Sequence, residues 1–91
     1  LRDAPSSLWR YTVLILLAEN AVAAGLPAAA LQLQDESVAA AAGSGMPTRF
    51  AEALLARVWI EVGAGAPRHV AEDLRAARAL TALAPAGTAG D

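Results

Sequence analysis

Residues 51–80, AEALLARVWIEVGAGAPRHVAEDLRAARAL, decide the fold, because they read as two helices joined by a glycine- and proline-containing reversal. Ala51, Leu54, Leu55, Val58, Trp59 and Val62 recur at the spacing that stacks side chains on one stripe of an α-helix. Ala53, Ala56 and Ile60 fall on roughly the opposite side, so two apolar faces imply two neighbours. Glu52, Arg57 and Glu61 supply the charge between them. Gly63 and Gly65 can adopt the left-handed conformation that ends a helix, and Pro67 suits the first turn of the next, where a missing N–H is harmless. The second helix carries Glu72 and Asp73 early and Arg75 and Arg78 later, matching the helix dipole. Its expected inner stripe is Val70, Leu74, Ala77 and Thr81, flanked by Ala71 and Leu80.

The same logic extends toward the N-terminus. A first helix over about 7–24, capped by Asp3, Ser6 or Ser7, is apolar almost all round, from Leu8 and Trp9 through Val13–Leu17 to Val22. Gly25 and Pro27 repeat the stop and restart of Gly65 and Pro67. A second helix over 28–42 turns Ala30, Leu33, Ser37, Ala40 and Ala41 inward, with Gln34 among them needing a hydrogen-bond partner, and Gln32, Asp35 and Glu36 outward. Gly43 to Pro47 form a loop, and the third and fourth helices cover 48–62 and 67–82. The fold class is therefore all-α, with two antiparallel helical hairpins. Residues 1–83 form one module and 84–91, which lack periodicity, a flexible tail.

Composition narrows the function classes. Ninety-one residues hold one core. The chain is 56% hydrophobic but only 4% aromatic, so alanine dominates and packing must rest on close helix approach. Net charge is -2, with seven scattered arginines and no lysine, which provides no basic footprint for nucleic acid. The arginine, alanine and glycine bias points to a GC-rich, bacterial coding sequence. With no cysteine there is no disulfide, thiol nucleophile or thiolate metal site. The apolar run Val13–Leu17 ends at Glu19 and Asn20, far short of the roughly 20 residues a membrane span needs. The opening residues carry no signal-peptide pattern, and the chain reads as a cytoplasmic piece of something longer.

An offset of 40 residues superposes Leu14 on Leu54, Val22 on Val62, Gly25 on Gly65 and Pro27 on Pro67, an internal repeat of a kind common in helical solenoids. With Gly25-Leu26-Pro27 followed by Ala30 and Leu33, and Gly65-Ala66-Pro67 followed by Ala71, Leu74 and Ala77, the chain resembles degenerate tetratricopeptide-like (TPR-like) repeats. Its wording is closest to the divergent repeats of large bacterial signalling ATPases and LuxR-type or cyclase-linked regulators. In that family a glycine at the turn and a small residue early in the second helix let paired helices approach closely. The resemblance implies a scaffold or sensor role in signalling or transcription regulation, without catalysis by the repeats.

No catalytic set can be assembled. His69, Glu72 and Asp73 share one helical face, yet a metal site needs three or four ligands and no second cluster is visible. The plainer reading is a surface histidine beside carboxylates at a helix start. GAGAP is followed by no GK[ST] and is a turn, not a phosphate cradle. No cofactor, metal or catalytic residue is expected. Trp9, Tyr11 and Trp59 supply most of the aromatic area and are read first as core, otherwise as partner anchors. Glu19 and Asn20 either line a groove or meet solvent. The expected function is a non-catalytic protein–protein interaction module whose partner is another protein, adjacent repeats or a second copy, with no direct nucleic-acid contact and no membrane. The alternative is a self-contained four-helix domain binding a small apolar ligand.

Overall fold

The computed structural model describes residues 3–83, with side chains from Trp9 onward. The expected tail over 84–91 lies outside the described residues. Four helices and no strand are present among them: α1 (Asp3–Ala23), α2 (Pro27–Ala42), α3 (Pro47–Ala64) and α4 (Val70–Ala82). α1 packs on α2, α2 on α3 and α3 on α4, while α1 also meets α3. The chain thus forms two consecutive hairpins, with α3 seated on the first.

The reversals differ in detail. Gly25 and Gly65 both take positive φ, 76° and 75°, a conformation open to glycine without penalty. After Gly25 the chain restarts at once, and Pro27 occupies the first turn of α2. The restart expected at Pro67 is corrected to Val70, with His69 at the N-cap position. The cause is Glu61, whose Oε1 accepts the His69 backbone N–H at 2.7 Å and so holds residues 66–69 as a loop. Forty residues earlier stands Ala21, which has no such acceptor. Gly63 does not end α3 but lies within it, where an added Cβ would sit 3.3 Å from Val22 Cγ1. α1 also begins earlier than expected, at Asp3.

The interior is built from small residues. One cluster joins Ala18, Ala21 and Ala30 to Ile60, with Val22 and Leu33 alongside. A second joins Tyr11, Ala41 and Ala53, and a third joins Ala51, Leu54 and Ala77. The largest fully buried side chains are Tyr11, Gln34, Glu61 and Ser37. Alanine seams bring backbones close, but each alanine removes little apolar surface from water. Polar side chains therefore hold much of the register.

This explains why α3 and α4 turn other faces inward than expected, while α2 keeps Ala30, Ser37 and Ala41 inside. On α3 the buried residues are Ala51, Ala53, Leu54, Ile60 and Glu61, while Leu55, Trp59 and Val62 are exposed. On α4 the buried pair is Asp73 and Ala77, and Leu74 and Thr81 face solvent. On α2, Gln34 takes the central buried position, and Asp35 is half-buried rather than turned outward. On α3 and α4 the ion-paired side chains lie on the buried face beside alanine, while Leu55, Trp59 and Leu74 stay outside.

Candidate functional site

Two features stand out once the helices are placed: a polar network across the second hairpin, and an apolar surface on the first helix of each hairpin.

The network is centred on Arg57 of α3. Its Nε donates to Asp73 Oδ2 at 2.7 Å and its Nη2 to Asp73 Oδ1 at 2.8 Å, a two-pronged geometry that suits guanidinium and carboxylate. Its Nη1 reaches Asp35 Oδ1 on α2 at 3.3 Å. One side chain therefore ties α2, α3 and α4 together. The hydrogen bond from Arg57 to Asp73 raises the Arg57 pKa above its ordinary value against the opposing effect of burial, with Asp35 adding to the rise. Neighbouring Glu61 is fully buried and receives the His69 ring at 2.6 Å between Nδ1 and Oε2. A carboxylate only accepts, so Nδ1 carries the proton. Burial acts to raise the Glu61 pKa, but the His69 ring and backbone N–H bonds, aided by the charges of His69 and Arg68, hold it below the usual glutamate value.

Asp35, Glu61 and His69 bring one ligand atom each to within 4.8 Å of one another. The fold thus replaces the grouping of His69 with Glu72 and Asp73, since His69 precedes α4 and turns back to α3. The donors suit a divalent cation by type, but the charge they would offer is already met. Arg68 Nη2 lies 3.3 Å from both Asp35 oxygens and 3.3 Å from Glu61 Oε2. Its guanidinium pairs with two of the three donors, and the cluster is an ion-pair lock on the α3–α4 turn.

The five residues singled out as partner contacts divide between core and surface. Tyr11 is 2% exposed, a core residue as first read and not a partner anchor. Its hydroxyl donates to Glu52 Oε1 at 2.8 Å and accepts from Arg49 Nη1 at 3.0 Å. Its carbonyl receives Ser37 Oγ at 2.8 Å, so it clamps α1 to α2 and α3. Trp9 and Trp59, read first as core, are 63% and 79% exposed. Glu19 and Asn20 are exposed as well. Val13, Leu16 and Leu17 of α1, and Leu55 and Val62 of α3, extend the exposed apolar surface around the two tryptophans. The fold does not gather Trp9, Glu19, Asn20 and Trp59 into a cleft; it leaves them on the outer sides of α1 and α3.

Sequence reasoning missed Arg57, Asp35, Asp73 and Glu61 as structural determinants. The available signal was Arg57 with Glu61 at i, i+4 inside an otherwise apolar run, a spacing that puts both on one face. Gln34 was recognised: it is fully buried, and its Nε2 donates to the Ala53 carbonyl at 3.1 Å. No helix among the described residues is long and apolar enough to cross a membrane. Compared with protein-family models, curated proteins and solved structures, the chain gives no match.

Proposed function

We propose that this chain is a non-catalytic protein–protein interaction module of the TPR-like kind, serving a bacterial regulatory or signalling protein in the cytoplasm. The observation that carries the reading is the exposure of Trp59 and Trp9 amid Val13, Leu16, Leu17, Leu55 and Val62 in a chain so poor in large side chains. Exposed large apolar side chains grouped on a helix face mark interaction sites, and tryptophan dominates binding hot spots. The titratable groups clustered around Arg57 and Glu61 are engaged in ion pairs that join helices, which leaves them a structural task. The surface recesses are shallow and open to solvent, as in the one lined by Arg10, Glu36, Ala39, Ala40 and Gly43, so nothing favours a small apolar ligand held between helices.

The test is site-specific photo-crosslinking in cells, with a photoreactive residue at position 59 or 16, and at position 72 on α4 for contrast. Protein adducts from 59 and 16 but not from 72 support the reading. Equal adducts at all three positions, or none, overturn it.

A further inference from the structure

The internal contact between the hairpins has a counterpart, 40 residues away, at each open end of the molecule. α1 and α2 receive α3 through Tyr11, Ile15, Ala18 and Val22, and through Gln34 and Val38. Forty residues on from these six stand the buried Ala51, the half-buried Val58, the charged Arg78 and the trio Leu55, Val62 and Leu74. The trio is apolar and exposed on the α3–α4 hairpin. The converse holds for the inserted helix. α3 meets the first hairpin through Arg49, Ala53, Arg57 and Ile60, and the residues 40 earlier are Trp9, Val13 and Leu17, again apolar and exposed, with the polar, exposed Asn20.

We infer that a second copy of this chain seats the Trp9–Val13–Leu17 face of its α1 on the Leu55–Val62–Leu74 face of the first, repeating between chains the contact that joins the two hairpins within one. The argument for this occupant is continuity with the internal interface. Part of each half of that interface recurs in the same register, Leu55, Val62 and Leu74 on one side and Trp9, Val13 and Leu17 on the other, where water would otherwise meet large apolar side chains. The contact is heterologous, joining two different surfaces, so it leaves one free end on each side and propagates. Register gives a further detail. Leu17 takes the place of Arg57, and Arg75 the place of its partner Asp35, so Leu17 of one copy faces Arg75 of the next.

This inference rests on the interaction-module reading and names its partner. The test is sedimentation velocity on the full chain across a wide concentration range, with Leu17→Arg blocking one end and Val62→Arg the other. Both positions are solvent-exposed, and far-UV circular dichroism confirms that each variant stays folded. The milder pair Val13→Ser and Leu74→Ser serves the same purpose if either arginine variant unfolds. The expected result is a wild-type mass that rises past two chains with concentration, each variant monomeric alone, and an equimolar mixture that stops at a two-chain complex. Leu17→Glu, able to pair with Arg75, should weaken association at least tenfold less than Leu17→Arg. A monomeric wild type, a closed dimer that grows no further, or a mixture that stays monomeric overturns the stacking; equal losses for Leu17→Glu and Leu17→Arg overturn the register. If stacking fails while position 59 still crosslinks to a different protein, the interaction-module reading stands without it.

Discussion

Arg57 on α3 and Asp73 on α4 form a two-pronged ion pair, 2.7 and 2.8 Å long, in which the Asp73 side chain is 4% exposed. Arg57 shares the Ala53 and Ile60 side of α3 and Asp73 lies one turn before Ala77 on α4, and the pair fixes how the last helix meets the third. Removing one member leaves the other desolvated without a counter-charge. Arg57→Ala is expected to destabilise the fold by about 3 kcal/mol, the range for breaking a buried pair. The double variant Arg57→Met with Asp73→Leu should lose less than Arg57→Ala alone, because packing replaces the pair without stranding a charge. Urea unfolding of the three proteins checks this.

Glu61 makes the stability depend on acid. Its pKa in the folded chain is lowered, so the unfolded state takes up protons more readily. The stabilisation is complete above the ordinary glutamate value and is lost as pH falls through it to the lowered folded value. Glu61→Gln should cost about 2 kcal/mol near pH 7, as expected for hydrogen bonds to a charged group. The gap between wild type and variant should narrow as pH falls below about 4.3, the ordinary glutamate value. Denaturant midpoints measured from pH 3 to 7 give the comparison; a gap that widens toward acid would contradict the assignment.

Gln34 is fully buried with Oε1 lacking a partner among the described residues. An unpaired buried acceptor costs free energy that an apolar side chain of similar size avoids. Gln34→Met is therefore expected to be neutral or stabilising by up to about 1 kcal/mol, whereas Gln34→Ala should destabilise by about 2 kcal/mol through the cavity it opens. Chemical denaturation of both variants separates the two effects.

The two glycines at the end of α3 should respond differently to alanine. Gly65 has open space around it but a φ of 75°, so Gly65→Ala costs about 1 kcal/mol from left-handed backbone strain. Gly63 is helical with Val22 Cγ1 3.3 Å from its would-be Cβ. Alanine there gains helix propensity of about 1 kcal/mol and loses a comparable amount in displacing Val22, so Gly63→Ala should melt close to wild type. Thermal melts followed by circular dichroism test both.

Trp59, at 79% exposed, should contribute little to folding. Trp59→Ala is expected to change stability by no more than about 0.5 kcal/mol, as for other surface substitutions, while reducing partner crosslinking from position 55 on the same helix. A loss of several kcal/mol in the melt would show instead that the ring is packed.

The sequence by itself determined that the chain is helical, that it reverses at Gly25 and Gly65, and that the halves share a plan. Those features are local: periodicity, a left-handed glycine and a proline act over a few residues whatever surrounds them. Tertiary structure decided which face of each helix turned inward. α3 is apolar on two sides, so periodicity offers Leu55, Trp59 and Val62 as readily as Ala53 and Ile60. The choice fell to the alanine-lined side because it permits close approach and because Arg57 and Glu61 find partners there. Those partners, Asp35, Asp73 and His69, lie 22, 16 and 8 residues away, and only folding brings them to hydrogen-bond distance.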